Sequence, residues 1–176
     1  MTKKVNKKAR RLRTGLTLIE TLVAISVLMV AVSGALSLSY KSLSSASFAK
    51  DQITAYYLAQ DGMESIKNIR DENLLRGRNW MVGLSGTCHN NNKCKVDPID
   101  LTVSSCSQTC EPLRFDEESG LYGYSSSWPE SIYIREISLI KTTDDEELLV
   151  VEIRWRSGGI DKSFVVKETI FDWYDD

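Results

Sequence analysis

Residues 16–38 read LTLIETLVAISVLMVAVSGALSL, a run of 23 positions that carries a single charge, Glu20. At 1.5 Å rise per residue the run makes a helix about 35 Å long, enough to cross a hydrocarbon core of roughly 30 Å. Ahead of it, Lys3, Lys4, Lys7, Lys8, Arg10, Arg11 and Arg13 place seven of the 22 basic residues within the first 15 positions, with no acid among them. The rest of the chain keeps 15 basic against 24 acidic side chains, a net charge of about −9. A basic arm can bind nucleic acid, but an apolar span directly behind it gives another reading. Basic residues beside a span mark its cytoplasmic side, so the acidic remainder is exported. A cleaved secretory signal fits less well: the apolar run is long for such a signal, and nothing changes character after Ala31-Val32-Ser33.

The helical pattern does not stop where the span ends. No proline occurs before Pro98. Leu36, Tyr40 and Leu43, then Ile53, Tyr56, Ala59, Met63, Ile66 and Ile69, recur at steps of three and four, with Lys50, Asp51, Asp61, Glu64, Lys67 and Arg70 mostly between them. Read to Arg70, the helix is on the order of 80 Å long. Its first half, residues 16–38, belongs in lipid or among other helices. Its second half, residues 39–70, belongs on a folded domain, with Gly34 and Gly62 as points where it could bend.

Residues 71–176 form that domain. Up to residue 127 the pattern is irregular, with a short strand possible at 121–124 and cysteines at Cys88, Cys94, Cys106 and Cys110. In an exported, loop-rich stretch four cysteines read as two disulfides with three connectivities. The local pairs Cys88–Cys94 and Cys106–Cys110 are preferred, the nested pairs Cys88–Cys110 and Cys94–Cys106 stand behind them, and a zinc site using His89 is disfavoured by spacing and compartment. Beyond, residues 132–140, 148–155 and 164–171 are rich in Ile, Val and aromatics and read as strands. Short connections make them antiparallel. The expected fold is α+β: one long helix on an antiparallel sheet of three to four strands, covering its apolar face.

Little in the chain suggests catalysis. His89 is the lone histidine and reads as a solvated loop residue rather than a catalytic base. The acidic groups at 116–118 and 144–147 lack EF-hand spacing and read as solvated turns, and the aromatics of the tail, residues 172–176, read as packing. No glycine-rich phosphate loop is present. Basic residues past the leader are scattered among acids, so no nucleic-acid partner is expected. No enzyme activity, cofactor or metal is expected either.

Glu20 is the informative residue. A carboxylate inside a span costs a few kcal/mol on insertion scales unless it reaches headgroup water or finds a cation. A cut before Leu16 would create one as a free α-amine, which Glu20 of a neighbouring subunit could meet, setting helix register as a lone polar group can.

The stretch Arg11-Leu12-Arg13-Thr14-Gly15-Leu16-Thr17-Leu18-Ile19-Glu20-Thr21-Leu22-Val23-Ala24 closely resembles the class III signal of type IV prepilins and type II secretion pseudopilins. The resemblance covers about residues 10–40. Beyond it, Ala59-Gln60, Glu64 and a sheet closing on Trp155 and Trp173 are similar to minor pilins of the PilV or GspI kind. It implies a leader, residues 1–15, cut after Gly15 by a prepilin peptidase that then methylates Leu16. Leu16 stands where the family more often has phenylalanine. It further implies that Glu20 directs assembly, and that the partners are other pilin subunits, the peptidase/methyltransferase, an assembly platform in the cytoplasmic membrane and, before assembly, the bilayer. The expectation is a structural subunit of a type IV pilus or pilus-like filament, a minor pilin, anchored by one pass in the bacterial inner membrane and then carried in a cell-surface or periplasmic filament. A type II secretion pseudopilin is the near alternative. A membrane-tethered enzyme or binding domain with an uncleaved anchor is the distant one.

Overall fold

The computed structural model describes residues 17–90 and 92–173. The chain divides into two compact units between Ala46 and Ser47. A single helix, α1 (Leu18–Leu75), runs through the first and into the second, and seven strands follow: β1 (Cys94–Val96), β2 (Val103–Ser105), β3 (Pro112–Phe115), β4 (Tyr122–Gly123), β5 (Glu130–Lys141), β6 (Glu146–Ser157) and β7 (Ile160–Phe171). The arrangement is α+β, a long N-terminal helix with an antiparallel sheet.

The helix outlasts its expected end at Arg70 by more than a turn, and its stop is built by Gly77. At φ 64° this glycine takes the left-handed turn that ends many helices. Its N–H reaches Leu74 O at 2.9 Å, and the N–H of Arg78 reaches Asn73 O at 2.9 Å, the paired bonds of a Schellman cap. Asn73 then pins the following loop, donating to Trp80 O at 3.2 Å and Val82 O at 2.8 Å.

Within the second unit α1 buries Ala55, Leu58, Ala59, Gly62, Met63 and Ile66. That face is rotated from the stripe read in the sequence, because Ile53 and Tyr56 remain exposed. Small residues explain the choice. A Cβ at Gly62 would lie 2.9 Å from Arg135 Cδ and 3.3 Å from Val151 Cγ1. Gly62 is therefore a point of close approach to the sheet, and α1 continues through it.

Strand β5 is the centre of the sheet. β6 pairs along one edge from Ile134 to Lys141, while β3 (at Ile134 and Glu130) and β1 (at Ile137) share the other. β6 and β7 pair over their whole length. β2 pairs with β1, and β4 with β3. Ile137, Leu139, Leu149, Val151 and Ile153 alternate toward the core and are fully buried, each removal from water contributing about 1.5–3 kcal/mol. The sheet has more strands than the three to four expected. β1, β2 and β3 are only three or four residues long, too short to show a period of two. β1 and β3 are held by pairing to β5, and β2 by pairing to β1, with the disulfides beside them, rather than by their own pattern.

Candidate assembly interface

The N-terminal end of α1 is capped by its own sequence. Thr17 precedes the helix, and the backbone N–H of Glu20 meets Thr17 O at 3.1 Å and Thr17 Oγ1 at 3.4 Å. This is the threonine half of a capping box, with glutamate at its third helical position. Glu20 also lies in the first turn, where a negative charge is favoured by the unsatisfied amides of the helix start. T-x-x-E at residues 17–20 was a sequence signal for this cap that the reading of Glu20 as a pairing group passed over. Among the described residues no cation is ion-paired with the Glu20 carboxylate. Gly15 and Leu16, the expected processing residues, lie outside the described residues.

From Thr17 to Lys50 every residue is exposed. Leu18, Ile19, Leu22, Val27, Leu28, Met29, Val30 and Leu36 all show more than half of their surface, on every side of the helix. A helix laid on a soluble domain hides one face; this segment hides none. Four of its hydroxyls are turned inward. Thr21 donates to Leu18 O at 2.8 Å, Ser26 to Leu22 O at 2.7 Å, Ser33 to Met29 O at 2.8 Å and Ser39 to Ala35 O at 3.0 Å. A hydroxyl satisfied by its own helix can enter lipid or pack against other helices without stranding its donor. An 18-residue window with mean hydropathy 2.2 meets the requirement for a membrane span.

Residues 10–36 match a family model described as the prokaryotic N-terminal methylation motif. Over that stretch the chain is similar to type IV pilin-like proteins, which carry this class III signal. No curated protein and no solved structure matches the chain.

The second unit, the head of the chain, is organised by two buried charged side chains that the sequence did not announce. Glu136, on β5, has a side chain 2 % exposed. It accepts from Lys93 Nζ at 2.5 Å, Arg154 Nη2 at 2.5 Å and the backbone N–H of Cys110 at 3.3 Å. Burial works to raise its pKa, but the hydrogen bonds from Lys93 and Cys110 and the charge of Arg154 outweigh it and hold the carboxyl below its ordinary value. The disulfides are Cys88–Cys94 and Cys106–Cys110. Glu136 thus touches the neighbour of one bridge, Lys93, and a member of the other. The next residue back, Arg135, is fully buried on the opposite face. It donates to Leu58 O at 3.1 Å and Asp61 Oδ2 at 2.5 Å on α1 and to Val96 O at 2.8 Å on β1. An Arg-Glu pair inside a strand is ambiguous in sequence, because alternation alone sends one of the two to the solvent side; here α1 covers the Arg135 face and the disulfide-bearing loops cover the Glu136 face.

His89 is not the solvated residue expected of its loop. Its Nε2 lies 2.9 Å from Glu147 Oε1, a carboxylate whose side chain is 6 % exposed. A bridge from His89 to Leu139 holds the loop to β5, and the N–H of Leu139 donates to Cys88 O at 2.7 Å. Glu147 therefore belongs to β6 and its buried face, not to a solvated turn. Asp144 does sit in the turn and pairs with Lys141 at 2.6 Å. Asp116 folds on its own loop, accepting from Glu118 N and Ser119 N at 3.3 Å each.

Proposed function

We propose that the chain is a structural subunit of a type IV pilus or pilus-like filament, with no catalysis of its own, cut after Gly15 and methylated at Leu16. The observation that carries this reading is the fully exposed apolar half of α1, which lies largely within the methylation motif and carries Glu20 in its first turn. Before assembly, residues 16–38 anchor the subunit in the inner membrane with the head outside. After extraction, the same residues pack with those of other subunits, and Glu20 meets the new α-amine of a neighbour. Small residues at Ala24, Ala31, Ser33, Gly34 and Ala35 let helices approach closely. Residues 71–176, stapled by Cys88–Cys94 and Cys106–Cys110, form the outer surface. The same motif serves type II secretion pseudopilins, and the composition of the filament in which the chain is found distinguishes the two.

Mass spectrometry of the mature N-terminus tests the processing. The expected result is a chain beginning at N-methylated Leu16. An intact N-terminus on membrane-extracted protein, with residues 1–15 still present, overturns the reading.

A further inference from the structure

The second unit carries an apolar groove of about 540 Å³ beside α1, within the range of roughly 300–1,000 Å³ typical of ligand-sized sites. Leu58 and Tyr122 line it, and Tyr57, Ile99 and Leu121 stand round it with 63 %, 56 % and 51 % of their surfaces exposed. One charged residue lines it, Asp61. Arg135 holds this carboxylate from below, while 43 % of the Asp61 side chain stays open.

The same chain displays an unpartnered surface of the matching kind. Leu36, Tyr40 and Leu43 fall at i, i+4 and i+7 on one face of α1, each at least 65 % exposed. Beside them is Lys41, the lone charge between Glu20 and Lys50. An apolar ridge with one cation meets an apolar groove with one anion.

We propose that the Leu36–Tyr40–Leu43 ridge of one copy docks in the Tyr57–Ile99–Leu121 groove of a second copy, with Lys41 facing Asp61. This rests on the filament reading above and names a contact within it. The two surfaces lie on different parts of the chain, so the contact is heterologous: each copy uses its ridge on one neighbour and offers its groove to another. Such a contact propagates as an open series unless a rotation happens to close it. Pairing Lys41 with Asp61 staggers adjacent helices by twenty residues, about 30 Å of helix rise.

Cysteine cross-linking in the full chain tests the contact. Leu43→Cys and Ile99→Cys are made singly and together, expressed in the native host, and oxidised in sheared filaments. Co-expressed single variants should give a covalent dimer that neither gives alone, and the double variant should give a ladder of dimers, trimers and larger species. Tyr40→Cys with Leu121→Cys serves as a second pair in case one substitution prevents folding. Adding Lys41→Glu, which sets a like charge against Asp61, should lower the cross-link yield about two- to fivefold, the range of an exposed ion pair. A chain present in filaments with neither pair linking overturns the groove contact and leaves the filament reading standing. A double variant that stops at dimers overturns the heterologous arrangement. Absence of the wild-type chain from every filament fraction overturns both.

Discussion

Glu136 shows how much one side chain can organise. A carboxylate buried on the outer face of a sheet is costly unless it is fully partnered, and here Lys93, Arg154 and the Cys110 amide supply the partners. Its pKa is lower in the folded chain than in the unfolded one, so its stabilisation is present above the ordinary glutamate value of 4.5 and is lost as pH falls through the lower, folded value. Glu136→Gln should therefore destabilise the head by about 1–3 kcal/mol at neutral pH, the scale of charge-assisted hydrogen bonds. Its stability should also fall less steeply than wild type as the pH is taken below 4.5. Thermal unfolding of the detergent-solubilised protein, followed across that range, checks both. Parallel acid profiles for the two proteins would show that Glu136 does not carry the effect. Neither its burial nor that of Arg135 could be read in the sequence: Glu136 depends on which loops fold over β5, and those loops have no periodicity, while Arg135 depends on which face of α1 meets the sheet. Glu20 was legible for the opposite reason: a charge in an uncharged run stands out with no tertiary information.

At the level of elements, α1 is governed by what it must approach. Gly62 and Gly34 lie in the same helix, yet a Cβ at Gly34 would meet nothing within 4 Å, whereas at Gly62 it would press on Arg135 and Val151. Alanine normally stabilises a helix interior by about 1 kcal/mol over glycine, but overpacking costs roughly 1–3 kcal/mol. Gly62→Val should accordingly lower the unfolding midpoint of the head measurably, while Gly34→Ala should leave it unchanged in detergent. Equal midpoints for the two variants would contradict the close approach. The long strands β5, β6 and β7 were visible in the sequence, because 12-residue strands display a clear run of Ile, Val and aromatics. The helix end was misplaced because the apolar steps fade after Ile69, although Gly77 marked the stop. The buried stripe was misjudged for a related reason: Ile53 and Tyr56 look like core, but Ala55, Ala59 and Gly62 are what let the helix come close.

The whole molecule joins two kinds of surface. One unit has a conventional core; the helix of the other has none and exposes apolar side chains along its length. On the proposed reading that exposure is relieved by lipid first and by other subunits later, and Glu20 sets the second state. Glu20→Ala should leave cleavage after Gly15 largely intact yet reduce recovery in sheared filaments severalfold, measured by immunoblot against the membrane fraction. Normal incorporation of the variant would show that Glu20 matters only to its own helix.

The cap at Thr17 bears on that point. A leader severed after Gly15 leaves Leu16 and Thr17 at the new terminus, so the threonine that closes the first turn stays with the mature chain. On the proposed reading, helix initiation and proteolytic maturation are two residues apart, because the threonine that starts α1 belongs to the mature chain. On that reading removal of the leader takes nothing from the cap, and Glu20 keeps its place in the first turn of α1.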